Sequence, residues 1–250
     1  MSAMLTRTLL YLRATLFWFV FAAVTLVYFL PLGVFVWALP RHWRYPIARS
    51  WATVNIHALR WICGVRWRVH GRENLPAEPA IVFAKHQSTW ETLAFAMLLP
   101  PQVWVVKREL LWIPVFGWGF ASVRPIAIDR SAGRAAVEQM VEQGRARLAE
   151  GRWVIIFPEG TRVRPGQQLR YKMGGAVLAA RSGHDVVPIA HNAGELWPRH
   201  SFVKWPGCVD VVIGPPIATT GKTPERINAE AGAAIAGMMR GIEGRARSGQ

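Results

Sequence analysis

The stretch Lys85-His86-Gln87-Ser88-Thr89-Trp90-Glu91-Thr92 holds the residues best suited to chemistry, where the apolar run Ala80-Ile81-Val82-Phe83-Ala84 gives way to polar side chains. A short buried strand delivers a histidine to its end, with a carboxylate five residues on. In one continuous helix five positions turn through roughly 500°, which puts the two side chains on different faces. With His86 in the loop before a helix and Glu91 in its first turn, the chain bends and the carboxylate reaches the ring. The imidazole is then a general base, its tautomer fixed and its cation stabilised by the acid. The same residues also spell a helix start, because Ser88-x-x-Glu91 ahead of Leu93, Phe95, Ala96 and Leu99 is a capping box. The two readings are compatible.

Two later blocks offer anion chemistry. Val154-Ile155-Ile156-Phe157 reads as a buried strand, with Pro158-Glu159-Gly160-Thr161-Arg162 at its end. The glycine permits close backbone approach, the hydroxyl and guanidinium suit phosphate oxygens, and Glu159 can orient Arg162. The plainer alternative is a strand-end turn with a surface ion pair. Lys172-Met173-Gly174-Gly175 opens a short helix whose first amides could face an anion, or could simply begin the helix. Of the other histidines only His191, at the end of Val186-Val187-Pro188-Ile189-Ala190, draws suspicion.

Several competing motifs are missing. Gly221-Lys222-Thr223 lacks the upstream glycine of a phosphate loop, since Pro216 occupies the required place. Asp129-Arg130-Ser131-Ala132-Gly133 lacks the first glycine of a nucleophile elbow. Neither His-Glu-x-x-His nor a dinucleotide-binding glycine fingerprint occurs. Cys63 and Cys208 stand far apart without ligand spacing and read as two buried free thiols.

The elements that position these residues follow from composition and pattern. The 250 residues suffice for one catalytic domain with an appendage, and 30 basic against 15 acidic residues give a formal charge of +15. Such a charge implies an anionic partner. Thirteen tryptophans and a hydrophobic fraction of 52% favour a membrane surface over nucleic acid, for which no groove-reading motif is present. Ala14 to Leu39 carries no charged residue, long enough to cross a bilayer as a helix, with Pro31 and Gly33 placed to kink it or split it into a shallow hairpin. Arg41, Arg44, Arg49 and Arg60 after this run, against Arg7 and Arg13 before it, put the main domain in the cytoplasm. Tyr45 to Ile62 reads as a second helix, either interfacial or packed on the domain. The expected division is therefore 1–62 for membrane-anchoring helices and 63–250 for the catalytic domain.

Within 63–250, Val65–Val69, Val103–Val106, Pro125–Arg130 (ending in charge) and Cys208–Ile213 read as further strands. Helices are expected over Thr89–Leu99, over Ala132–Glu150 and from Thr223-Pro224-Glu225 onward, where Thr223 caps and Pro224 takes the first position. The apolar stretch Trp112–Trp118 suits contact with lipid or an acyl chain.

His86-x4-Glu91, Lys107 with Pro114 and Gly117, Phe157-Pro158-Glu159-Gly160-Thr161-Arg162 and Val187-Pro188-Ile189 occur in an order that resembles the glycerolipid acyltransferases of the 1-acylglycerol-3-phosphate acyltransferase type, over about residues 65 to 215. The resemblance implies an α/β fold, a mixed central sheet flanked by helices, held to the membrane by N-terminal helices. It implies transfer of a fatty acyl group from acyl-CoA or acyl carrier protein to the sn-2 hydroxyl of lysophosphatidic acid at the cytoplasmic face of the inner membrane. No cofactor is implied, because a thioester is already activated. By the same resemblance His86 is the base and Glu91 takes the place of the family's usual aspartate. Glu159, Gly160, Thr161 and Arg162 match the acceptor-phosphate motif, Lys107 and Arg108 an acceptor-binding block, and Pro188 a block linked to acyl or donor binding. Ser88 is the one residue that could act as a covalent nucleophile instead. Another lyso-lipid acceptor, such as a lyso-ornithine lipid, or a non-catalytic lipid-binding protein of the same fold are the alternatives.

Overall fold

The structure is a computed structural model that describes residues 3–35 and 38–248. It opens with two helices, α1 (Ala3–Phe35) and α2 (Arg41–Cys63), followed by β1 (Val65–His70) and β2 (Ile81–Ala84). Then come α3 (Trp90–Leu98), β3 (Gln102–Lys107), α4 (Phe116–Ala121), β4 (Ile126–Ile128), α5 (Arg134–Ala149) and β5 (Trp153–Ile156). The chain closes with α6 (Gly174–Ser182), β6 (Val186–His191), α7 (Ala193–Leu196), β7 (Gly207–Ile213) and α8 (Pro224–Ser248). The strands form one sheet in the order β1-β7-β6-β2-β5-β3-β4. Every pairing is parallel except β6 with β7. The expected mixed sheet is thus present.

β2 and β5 lie centrally, and all their residues are buried, as strands covered on both faces must be. The period of two divides the core. Val82, Ala84, Ile155, Val187 and Ile189 face Ile56, Leu59, Trp90 and Phe95 on α2 and α3. Ile81, Phe83, Val154, Ile156 and Val186 face Leu178, Ile227, Ala231 and Ile235 on α6 and α8. This parity decides where the residues beyond β2 go, and so builds the site.

α1 begins at Ala3, earlier than the charge-free run, and continues through Pro31 without separating into a hairpin. Its Met4–Pro31 segment is long and apolar enough to cross a membrane, with mean hydropathy 2.0 and only 17% buried. Phe17 and Phe29 are buried while Phe19 and Val27 are exposed. The Phe29 ring lies 4.7 Å from that of Trp51 of α2, tilted by 39°, and Trp51 Nε1 donates to Thr25 Oγ1 at 3.1 Å. α2 packs on the domain through Trp51, Ile56 and Leu59 and ends at Gly64, whose φ of 73° is the left-handed cap that glycine adopts without strain. Of the apolar stretch that leads into α4, Trp112, Ile113 and Trp118 remain exposed. Phe116 instead turns inward, 5.7 Å from the Phe29 ring. Cys63 is buried and Cys208 half-buried, both as free thiols.

Candidate active site

β2 holds register with β6 until Lys85, whose amide donates to Ile189 O at 3.0 Å, and the chain then leaves the sheet. By the alternation of β2, His86 follows Val82 and Ala84 onto the α3 side. Its Nδ1 lies 2.9 Å from Glu91 Oε1, and the same oxygen accepts from the amides of Gln87 at 2.8 Å and Ser88 at 2.7 Å. The loop therefore closes around one carboxylate oxygen in the first turn of α3. Ser88 Oγ accepts from Trp90 N at 3.1 Å and donates to Trp197 O at 2.6 Å. Both sequence readings hold together: Glu91 reaches back to the Ser88 amide as in a capping box and also orients the histidine. The box is incomplete, because Thr89 is the N-cap residue and Ser88 serves Trp90 instead.

A carboxylate on Nδ1 makes that nitrogen the donor and leaves Nε2 with its lone pair, the form a general base needs. The ring lies flat on Phe157, 3.9 Å between centroids at 11°. Glu91 has no exposed side-chain area and His86 has 16%. The pair is thus shielded on the acid side and open on the base side. Ser88, held at both ends of its hydroxyl, is placed as a structural pin rather than as a nucleophile.

Behind Glu91 lies His191, fully buried, with Nε2 donating to Lys85 O at 2.8 Å and Nδ1 accepting from Ala193 N at 3.2 Å. Burial pushes its pKa down, Glu91 opposes that shift, and the two backbone bonds hold the ring in place. Glu91 Oε2 stands 4.0 Å from His191 Nε2. Burial alone would push the Glu91 carboxyl up, but His191, His86 and the Ser88 amide outweigh it and hold the pKa below the usual carboxylate value.

The segment after β5 crosses over this loop. Gly160 takes φ 70° in a tight turn in which its amide donates to Phe157 O at 2.9 Å. Val163 N donates to His86 O at 2.8 Å, and Lys172 N to Pro158 O at 2.8 Å. Glu159 does not orient Arg162. It is buried and paired with Lys85, Nζ to Oε1 at 2.9 Å. Thr161 is exposed and Arg162 half-buried. Burial pushes the Arg162 guanidinium below its usual pKa, Glu91 opposes that shift, and the neighbouring Arg199 adds to it. Arg199 also donates from Nη1 to Arg162 O at 3.1 Å. Arg162 therefore lies within electrostatic reach of Glu91, with the Arg199 guanidinium beside it.

Lys107 and Arg108 stand at the end of β3, one strand removed from the strand that leads to His86. Both are exposed, and Arg108 pairs with Asp129 at 3.0 Å. Pro188 lies buried inside β6, where the ideal Cβ position of Gly214 is 3.0 Å from its Cγ, so its surroundings are those of a packing residue. Sequence reasoning left out Lys85, Phe157 and Arg199. Lys85 and Phe157 border the two motifs and were legible as neighbours, whereas nothing local marks Arg199.

The profile of the family described as Acyltransferase matches residues 66–192. A 1-acyl-sn-glycerol-3-phosphate acyltransferase of Pseudomonas aeruginosa is 45% identical over 190 residues, covering 76% of this chain and 74% of that protein. A protein of the same name from Limnanthes douglasii is 34% identical over 171 residues, covering 67% of this chain and 60% of its own length. The crystal structure of PlsC from Thermotoga maritima, a 1-acyl-sn-glycerophosphate acyltransferase, superposes with a TM-score of 0.75 at 23% identity, over 93% of this chain and 95% of that one, and shows a common fold. With His86, the buried Glu91 and the strand-end motif all inside the matched region, the chain belongs to the acyltransferase family whose curated relatives are named 1-acyl-sn-glycerol-3-phosphate acyltransferases.

Proposed function

We propose that the protein transfers a fatty acyl group from a thioester donor to the sn-2 hydroxyl of lysophosphatidic acid, giving phosphatidic acid. The observation that carries this reading is His86, its Nδ1 bound to the buried Glu91 and its Nε2 available as a base. Nε2 takes the hydroxyl proton as the oxygen attacks the thioester carbonyl. The tetrahedral intermediate collapses, the carbon–sulfur bond breaks, and the departing thiolate takes the proton back from the imidazolium. Glu91 stabilises that cation between the two transfers. Arg162 and Arg199 supply the charge that a phosphate monoester needs, and a guanidinium can bind it through two oxygens at once.

The acceptor has one acyl chain and an anionic head, so it belongs at a bilayer surface. α1 supports attachment there by its length and exposed apolar side, and the arginines after it favour a cytoplasmic orientation. The test is a panel of acceptors offered with oleoyl-CoA to the detergent-solubilised protein: lysophosphatidic acid, other lysophospholipids and a lyso-ornithine lipid. Preference for lysophosphatidic acid by at least about tenfold in kcat/KM is expected, because losing one charged contact to the phosphate costs on the order of 1.5–3 kcal/mol. Equal rates across the panel would contradict a phosphate-reading site, and lipid binding without transfer to any acceptor would favour the non-catalytic reading.

A further inference from the structure

One buried titratable side chain at the site has no part in the transfer chemistry itself. His191 ends β6, which pairs with β2, and has no exposed area. Three elements meet at its ring. Nδ1 accepts from Ala193 N at 3.2 Å, at the start of α7, and this puts the proton of the ring on Nε2. Nε2 donates to Lys85 O at 2.8 Å, the carbonyl of the peptide that leads into His86. The same Nε2 stands 4.0 Å from Oε2 of Glu91, in the first turn of α3. The rings of Trp90 and Phe95, also from α3, lie 6.4 Å and 6.0 Å from the imidazole between centroids.

The two oxygens of Glu91 are unequally served. Oε1 receives the His86 ring and the amides of Gln87 and Ser88, whereas Oε2 is buried with no hydrogen-bond partner among the described residues. Away from water an oxygen that carries charge is held by whatever positive dipole lies within reach, and the low polarity of the surroundings strengthens that hold. The Nε2–H of His191 is such a dipole. A ring that ties down the peptide before the base, and also faces the free oxygen of the acid, governs how base and acid stand to each other. We propose that His191 is a positioning residue of the acyl transfer, aligning His86 against the carboxylate of Glu91 through its Nε2. It acts through Lys85 and Glu91, without contact with donor or acceptor. This role rests on the proposed thioester reaction and adds the residue that aligns its base. The competing account makes the ring a packing residue, needed for its volume and its tie to α7.

Two substitutions divide the tasks of the ring. In His191→Asn the amide oxygen takes the place of Nδ1 and still accepts from Ala193 N, but the side chain ends short of Lys85 O and Glu91. In His191→Gln the longer stem carries the amide nitrogen out toward the place of Nε2. Both are compared with wild type as the full chain in detergent, using labelled oleoyl-CoA and lysophosphatidic acid, with a thermal midpoint for each protein. His191→Asn should fold and lose about 10- to 100-fold in kcat, the scale of a misaligned catalytic pair, while both KM values change less than about twofold. His191→Gln should recover most of that loss. The same His191→Asn change is then made in the Glu91→Gln background. A residue that acts by aligning the base against the carboxylate has no charge left to align it to, so its further cost in kcat there should be less than about twofold, whereas a packing residue costs the same in both backgrounds. Equal losses in the two backgrounds, wild-type kcat in His191→Asn, or failure of both variants to fold would overturn the proposal and leave the ring a packing residue. A wild type that acylates no acceptor would overturn the proposed function and this role together. An active wild type beside an equally active His191→Asn would overturn this role alone.

Discussion

At the scale of single residues, the site turns on how many jobs one carboxylate does. Glu91 Oε1 receives the imidazole and two backbone amides, so its charge and its position are both fixed. Glu91→Gln keeps the shape and removes the charge that stabilises the imidazolium. A fall in kcat/KM of about 10²–10⁴ is expected, the range for loss of general-base function. Glu91→Asp keeps the charge on a shorter stem and should retain part of the activity. Equal activity in all three proteins would refute the pairing. This part of the site was legible because the cap and the base demand the same fold-back, so five-residue spacing pointed one way under either reading. The Lys85–Glu159 pair was not. Its members sit at the ends of two strands far apart in sequence, while Arg162 offered a nearer and apparently sufficient partner for Glu159.

At the scale of elements, the junction between α1 and the domain is built around a buried lysine. Lys204 is 1% exposed, donates to Phe202 O at 2.8 Å and lies 3.7 Å from the Trp18 ring centroid and 4.9 Å from those of Phe17 and Trp197. Burial pushes its pKa from 10.5 down to about 7, while the rings attract its cation. Between those values the unfolded chain binds a proton that the folded chain does not, so this group makes stability rise as pH climbs from about 7 toward 10.5. Lys204→Met should therefore raise the thermal midpoint at pH 6–7, by the equivalent of about 1–4 kcal/mol, and the gain should shrink toward pH 10. A midpoint difference independent of pH would show that the lysine is not the titrating group. The strands themselves were readable, since short runs such as Val154–Ile156 are apolar on both faces. Their order was not, because β6 beside β2 and β7 beside β1 are pairings between distant segments. The charge-free run marks only part of α1: Arg7 is exposed and Arg13 half-buried within the same helix, which can carry such charges before its apolar segment begins.

At the scale of the whole molecule, a positively charged domain is fastened to one apolar helix. Exposed Trp43 and Trp61 lie on α2, with the Arg60 guanidinium 5.5 Å from the Trp61 ring, a combination suited to the headgroup layer. If α1 is inserted, the protein should stay with the membrane fraction through 1 M salt and alkaline carbonate and come off only in detergent. Release by salt would mean that surface charge alone holds it, since screening weakens exposed electrostatic contacts. Under the proposed function, attachment through α1 places a lipid acceptor on the side of the sheet that His86 faces. The most direct test of the account is acyl transfer from labelled oleoyl-CoA to lysophosphatidic acid, comparing solubilised wild type with His86→Ala. Product from wild type, with a loss of about 10²-fold or more in the variant, is the predicted result. Product at equal rates from both would contradict the central claim that His86 is the base.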